Sequence, residues 1–326
     1  MMRFIVTILA SLLTLVMAGL LAGYLFLDQR IDDVAQIEPV TIEVKKGTAE
    51  RDIGRLLVDS GVEFLPFEFE LLSVLLKTSG RYKSGDFQIP ANSTRRDILT
   101  LLTRGSNIRE WITIPECITN VEVAEILLSD KRLSGDLGEL PSEGMLSPNT
   151  YDINSDMPRK TVVARLNKVR IEELARAWSA RKPDLPLASP EELLILASIV
   201  EKESGRASEQ SKVAGVFVNR LKKNMKLQSD PTIIYFLTEG RSKLGREILR
   251  RDLERDNPYN TYTRAGLPPT PLCNPGNNAL SAVAQYADTD ALYFVADGEG
   301  GHWFANSLRE HNNNVRKYRE KIRGQR

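Results

Sequence analysis

The sequence predicts an α+β protein: one membrane-spanning helix at the N-terminus, small strand–turn–helix modules, and a mainly helical domain closed by a short β-hairpin. Three observations carry this. An uncharged run from Phe4 to Leu27 opens the chain. Strand-like alternation, a turn and helical spacing then follow one another three times before residue 130. From Ser189 onward helical patterns dominate, ending in two strand-like segments around a Gly-rich turn.

The apolar run, at ~1.5 Å per residue, is long enough to cross a hydrocarbon core of about 30 Å with some tilt. Arg3 precedes it, and Asp28, Asp32 and Asp33 follow with only Arg30 between them. This charge bias predicts a cytoplasmic N-terminus and an exported remainder. Val16-Met17-Ala18 is a tolerable signal-peptidase site, but signal h-regions run about 7–15 residues, so length favours an anchor over residues 1–27. Residues 28–39 read as a short acidic linker.

The first module places a strand at Thr41–Val44, a turn at Lys46-Gly47-Thr48 and helical spacing at Ile53, Leu56 and Leu57. In the second, Phe87 and Ile89 take the strand places, Ile98, Leu101 and Leu102 the helix places, and Ser93 is the expected N-cap. In the third, Ile112 and Ile114 precede Val123, Ile126 and Leu127, with Thr119 and Glu122 spaced as a capping box. The unequal spacing argues for small α+β modules and against a solenoid. Residues 129–160, rich in Gly, Pro and Ser, read mostly as loops. Thr161 to Arg181 has the periodicity of an amphipathic helix, broken by Pro183 to Pro190. The closing strands are expected at Ala291–Ala296 and His302–Ala305, and a basic helix at Leu308 to Arg323.

Composition narrows the chemistry. A formal net charge of +1 argues against a nucleic-acid binder held by a basic field. Two His and two Cys cannot supply an HExxH site or a zinc ribbon, so no metal is expected. No Walker A loop, dinucleotide fingerprint or Gly-x-Ser-x-Gly elbow occurs, and no cofactor is expected. Spacing leaves open whether Cys117 and Cys273 pair or are buried separately.

The chemistry therefore falls to carboxylates. In the segment from Ser189 to Gly205, Ser189 is an N-cap, Pro190 occupies the first turn, and Glu192 is spaced to complete a capping box. The helix body is almost wholly apolar, and Gly205 is an expected stop. Glu203 follows Val200, Ile199 and Leu196 at helical spacing; Glu201 follows Ser198, Ala197 and Leu194, a smaller and more polar stripe. Desolvation and the negative end of the helix dipole should both raise the pKa of Glu203, as a general acid requires. From spacing alone, a solvated Glu or one paired with Lys202 or Arg206 remains open.

Two further segments are polar and stiff. Asp256 to Gly276 contains five prolines, with Tyr259, Asn260, Tyr262 and Asn274 among them. Aromatic faces and amides on a rigid loop suit a sugar chain, and a purely structural loop fits the same composition. Gln228-Ser-Asp230-Pro-Thr is either a second polar wall or a helix start. His302, after a Gly-rich turn, reads as an ordinary exposed residue.

At this point the motifs become specific in combination. Ala-Ser-Ile-Val-Glu-Lys-Glu-Ser (197–204), Val-Phe-Val-Asn-Arg-Leu (216–221), Leu-Gln-Ser-Asp-Pro-Thr (227–232), Tyr-Asn-Thr-Tyr (259–262), Gly-Leu-Pro-Pro (266–269), Asn-Pro-Gly (274–276), Leu-Tyr-Phe-Val-Ala (292–296) and Glu-His-Asn (310–312) resemble, in order, the YceG-like family. The resemblance implies a LysM-like region over 40–109 and a catalytic domain over 110–326 with its core at about 189–326. It implies an inner-membrane, periplasm-facing lytic transglycosylase that cuts nascent peptidoglycan strands internally and leaves 1,6-anhydro ends. It also implies contact with glycan-polymerising synthases (penicillin-binding proteins). The family's catalytic Glu precedes Ser or Thr and maps to Glu203. Gln228, Asp230, Tyr259, Asn260 and Thr261 are expected to line the groove. The sequence departs from the family pattern at Cys117 (usually Gly), Asn149 (usually Asp) and Thr270 (usually Gly). A non-catalytic glycan-binding scaffold and a water-using muramidase are the alternatives.

Overall fold

The computed structural model describes residues 2–108, 110–154 and 156–324. Met1, Arg109 and the terminal pair 325–326, which close expected domain boundaries, lie outside the described residues. The chain divides into two compact units, residues 1–110 with 152–156, and residues 111–151 with 157–326.

The first unit opens with α1 (Met2–Arg30), the one described helix long and apolar enough to cross a membrane. β1 (Val34–Gln36), β2 (Val40–Val44), α2 (Glu50–Asp59), α3 (Glu68–Leu75), β3 (Gly85–Ile89), β4 (Ser93–Thr94) and α4 (Arg95–Arg104) follow. β2 and β3 pair antiparallel, with Ile42 opposite Phe87 and Val44 opposite Gly85. Their inward side chains join Ile53, Leu57, Phe69, Leu72, Ile98, Leu99 and Leu102 in one buried cluster. The segment 28–39, expected as a linker, is folded into this unit. It ends α1, pairs β1 with β4, and buries Ile31 and Ala35 in the cluster. The N-cap of α4 is Thr94 and not the expected Ser93. Thr94 and Asp97 form the reciprocal capping box, while the Ser93 hydroxyl donates to Pro90 O.

The chain passes between the units within β5 (Glu110–Thr113), within β7 (Thr150–Ile153) and again between Asp156 and Met157. Between β5 and β7 lie α5 (Asn120–Ser129), capped as predicted by Thr119 and Glu122, and β6 (Leu133–Ser134). Then come β8 (Met157–Pro158), α6 (Arg159–Ser179), α7 (Pro190–Glu203), α8 (Ala207–Lys222), α9 (Asp230–Thr238), α10 (Arg250–Glu254), α11 (Asn277–Ala284), β9 (Tyr293–Ala296), β10 (His302–Ala305) and α12 (Leu308–Gly324). The second unit is mainly helical with a closing antiparallel pair, β9 and β10.

α7 is its central element. Leu193 to Val200 are all buried, and α6, α8, α9 and α11 pack against it. Burying each large aliphatic side chain contributes about 1.5–3 kcal/mol, so the position of α7 is set by its body. Its start is fixed by the Ser189 hydroxyl, which accepts from Glu192 N. The Glu192 carboxylate accepts from Ala188 N, one residue before the expected partner. Its end comes at Ser204, which is extended (φ −112°, ψ 110°), so Gly205 does not supply a left-handed stop.

Candidate active site

The last turn of α7 presents two carboxylates in opposite settings, both within the second unit. Glu203 is partly buried, and its Oε1 accepts a hydrogen bond from Ser229 Oγ at 2.6 Å. Burial pushes its pKa from 4.5 up to about 7. The Ser229 hydroxyl, His302 and Arg220 pull it back down, and Asp230 adds to the rise. Desolvation thus wins over one short hydrogen bond and the two neighbouring basic side chains. The group is poised between acid and carboxylate near neutrality, which a residue that must first give and then take a proton requires.

Ser229 is positioned by a backbone device. Gln228 holds a left-handed φ of 49°, and its N–H donates to Thr261 O at 3.1 Å. Ser229 N donates to Thr261 Oγ1 at 3.0 Å, and the Thr232 hydroxyl donates to Ser229 O and meets Thr261 Oγ1 at 2.9 Å. Left-handed backbone costs a non-glycine residue roughly 1–2 kcal/mol, offset here by these buried bonds. The result places the Ser229 hydroxyl under Glu203 and leaves the Gln228 side chain in solvent.

The five expected groove residues separate into two groups. Gln228 and Asp230 are exposed, and Tyr259 is half-buried. Asp230 is the first residue of α9 and accepts from Tyr262 Oη at 2.5 Å; burial and this carboxylate push the phenol above its ordinary range. Tyr259 Oη meets Thr270 Oγ1 at 2.8 Å, and its ring lies 5.0 Å from that of Tyr235. Thr270, where the pattern usually has Gly, thus supplies a hydroxyl partner. Asn260 and Thr261 instead lie behind the wall, at 0% and 2% exposure. Asn260 Nδ2 donates to Leu253 O and Arg255 O, and its Oδ1 accepts from Tyr262 N, so it braces the loop from inside. Asn274 is likewise a buried knot, bonded to Ile118 O, Asn120 Oδ1 and Leu146 N.

Glu201 faces the Asn274-Pro-Gly276 turn. Its Oε2 accepts from Gly276 N at 2.7 Å and its Oε1 from Gln210 Nε2 at 3.2 Å. Burial raises its pKa, and the Gly276 N–H works against that. A Cβ at Gly276 would meet the exposed Glu116 carboxylate, which would have to swing aside. The buried Arg170 guanidinium donates to Pro275 O from below. Cys117 and Cys273 form a disulfide at the start of this stretch. Cys117 has a left-handed φ of 55°, which explains why glycine is usual there. The disulfide is the bond type of an oxidising compartment.

Sequence reasoning missed three contributors. Ser229 sits between two expected residues, which were the signal; Tyr262, expected for its aromatic face, bonds here through its hydroxyl. Arg220 is a cation on the otherwise apolar face of α8; it donates to Leu292 O and Leu227 O. His302 is half-buried, not exposed, with its Nδ1 2.8 Å from Glu209 Oε2 and its ring edge-on to Phe294.

A family model, the YceG-like family, matches residues 42–317 of this site-bearing chain. The chain belongs to the YceG-like family. A relative from Bacillus subtilis (strain 168), named endolytic murein transglycosylase, is 37% identical over 179 residues, covering 55% of this chain and 48% of its own. One of the same name from Streptococcus pneumoniae (strain ATCC BAA-255 / R6) is 28% identical over 356 residues, covering 93% and 63%. The chain thus spans between about half and two thirds of the length of these curated relatives. A crystal structure of a yceG-like protein from Listeria monocytogenes aligns with a TM-score of 0.50 at 25% identity, covering 85% of this chain and 98% of that one. Within the YceG-like pattern, the block 197–204 is the one that contains Glu203.

Proposed function

We propose that this YceG-like protein is an endolytic lytic transglycosylase of peptidoglycan, with Glu203 as its acid and base. The observation that carries the reading is one carboxyl group held near neutrality by burial at the end of a rigid helix, with a hydroxyl fixed at 2.6 Å. The names of the curated relatives support the reaction class.

Protonated Glu203 gives its proton to the bridging oxygen of the MurNAc–GlcNAc bond, and the C1–O bond breaks. The carboxylate so formed takes the proton from the C6 hydroxyl of the same MurNAc, whose oxygen closes on C1. The product is a 1,6-anhydro end, and Glu203 is again protonated. The attack is intramolecular, so positioning replaces the bound water and second carboxylate that hydrolytic glycosidases use. Gln228, Asp230 and Tyr259 supply the polar and aromatic wall for the strand, while Asn260 and Thr261 set its shape. α1 anchors the chain in the inner membrane with the rest in the periplasm, where newly made strands and their synthases are met. The β2–α2–α3–β3 order, two helices on an antiparallel strand pair, supports reading residues 40–109 as LysM-like and glycan-binding.

Mass spectrometry of peptidoglycan treated with the full chain and with Glu203→Gln tests this. Anhydro-ended fragments from the native chain alone are expected. Reducing ends would make it a muramidase-type hydrolase, and no cleavage by the native chain would make it a glycan-binding scaffold.

A further inference from the structure

The first unit carries an exposed apolar edge that the site chemistry does not use. α3 buries Phe69, Leu72 and Ser73 on one side. Its opposite side, with the turn before it, exposes Leu65, Phe67, Leu71 and Val74 at 46, 62, 52 and 68%. Phe67, Leu71 and Val74 have the spacing of a single helical stripe. Phe67 also holds a left-handed φ of 63°, a costly state for an aromatic residue, while presenting its ring to solvent. The Arg51 guanidinium lies 5.6 Å over that ring. A cleft of about 330 Å³ runs between this turn and α2. Arg51 and Arg55 on its rim are matched by Asp59 and Glu70, so apolar surface and not net charge is what the edge offers.

What covers this edge follows from how α1 joins the unit. No linker separates them: Leu27 packs on the buried cluster and Ile31 lies inside it. Leu27 to Ile31 is about 6 Å of helix, comparable to the roughly 5–7 Å of headgroup layer on one side of a bilayer. One carboxylate then ties α1 to α3. Glu68, 1% exposed, accepts from Arg30 Nε at 2.6 Å and Nη2 at 3.2 Å, pairs with Arg95 at 3.2 Å, and accepts from Leu65 N at 2.7 Å. The turn bearing Leu65 and Phe67 is therefore fixed at the level of Arg30, about 4.5 Å of helix beyond Leu27.

We infer that the Leu65–Val74 edge is a second membrane contact, inserted at the headgroup boundary of the bilayer that α1 crosses. This rests on the anchor reading of α1. Aromatic and aliphatic side chains at that depth gain from leaving water, and a neutral rim makes the contact independent of anionic lipid. A span plus a seated edge would hold the first unit at a fixed attitude to the membrane, where a span alone would let it swivel.

The disulfide occupies both cysteines, so a single introduced thiol can be spin-labelled cleanly. The full chain carrying Leu71→Cys is placed in phosphatidylcholine nanodiscs, and collision of the nitroxide with oxygen is compared with collision with a water-soluble nickel chelate. Leu20→Cys, within α1, serves as the reference for the span. Both labels should favour oxygen, the Leu71→Cys label at a shallower depth and by several-fold over the same label in detergent-free soluble residues such as Arg316→Cys. A nickel-accessible label at position 71 with an oxygen-favoured label at position 20 would overturn the seated edge and leave the anchor standing. Nickel access at both positions would overturn both.

Discussion

Glu201 and Glu203 lie two residues apart on one helix end, yet the fold treats them as different reagents. Glu201 is enclosed by groups that are satisfied when it is charged: Gly276 N–H and Gln210 Nε2 donate to it, with Arg170 in the background. Glu203 receives one hydroxyl donor, and desolvation dominates, raising it to about 7. Helix geometry separates the two faces; burial raises both carboxyls, opposed at Glu201 by a backbone N–H and an amide and at Glu203 by one hydroxyl, which leaves Glu203 at about 7. A buried carboxylate with backbone donors holds structure, whereas one whose surroundings favour neither state strongly can carry a proton back and forth.

The largest way to break this comparison is to neutralise each side in turn. Glu203→Gln should lower the cleavage rate by ~10²–10⁴-fold or more, measured on purified glycan strands. Glu201→Gln should cost far less, because glutamine still accepts from Gly276 N. Equal losses would erase the distinction.

The stability of the two variants sharpens it further. A carboxyl whose folded pKa lies above its unfolded value contributes stability below the unfolded value and loses it as pH rises through the folded one. For Glu203 that window runs from 4.5 to about 7. Glu203→Gln should therefore gain stability relative to the native chain across that window, by up to about 3 kcal/mol in denaturant titrations.

On the Glu201 side, the disulfide spans a sequence separation of 156 and fixes the chain entering the Gly276 turn. Cys117→Ser with Cys273→Ser should cost about 2–4 kcal/mol in denaturant melts while the Glu203 pH profile stays in place. The smallest effect is expected at Ser229. Its hydroxyl stabilises the Glu203 carboxylate, so Ser229→Ala should move the alkaline limb of the rate profile up by about one pH unit.

Much of the second unit was legible because its signals are local. Ser189 and Pro190 start α7, apolar periodicity buries its body, and the facing of Glu203 follows from that period alone. The closing hairpin and α12 were readable for the same reason. What escaped depends on partners distant in sequence. Asn260 and Asn274 looked like sugar-binding amides, but their bonds run inward, in the second case to residues near 118 and 146. His302, on β10, looked exposed because its partner, Glu209, lies far back in the sequence on α8. α3 was missed because Glu68 to Leu75 breaks the strand–turn–helix rhythm, and its short apolar run shows little periodicity. The left-handed backbone at Gln228 and Cys117 carries no local signature either, since neither residue is Gly or Asn.

The central claim is that Glu203 is a neutral acid near physiological pH because the fold desolvates it. Infrared difference spectroscopy, native chain minus Glu203→Gln across a pH series, reads it directly. The account predicts a protonated-carboxyl C=O band, absent from the variant, that disappears with a midpoint near 7. A band that disappears near the ordinary carboxylate value of about 4.3 would contradict it.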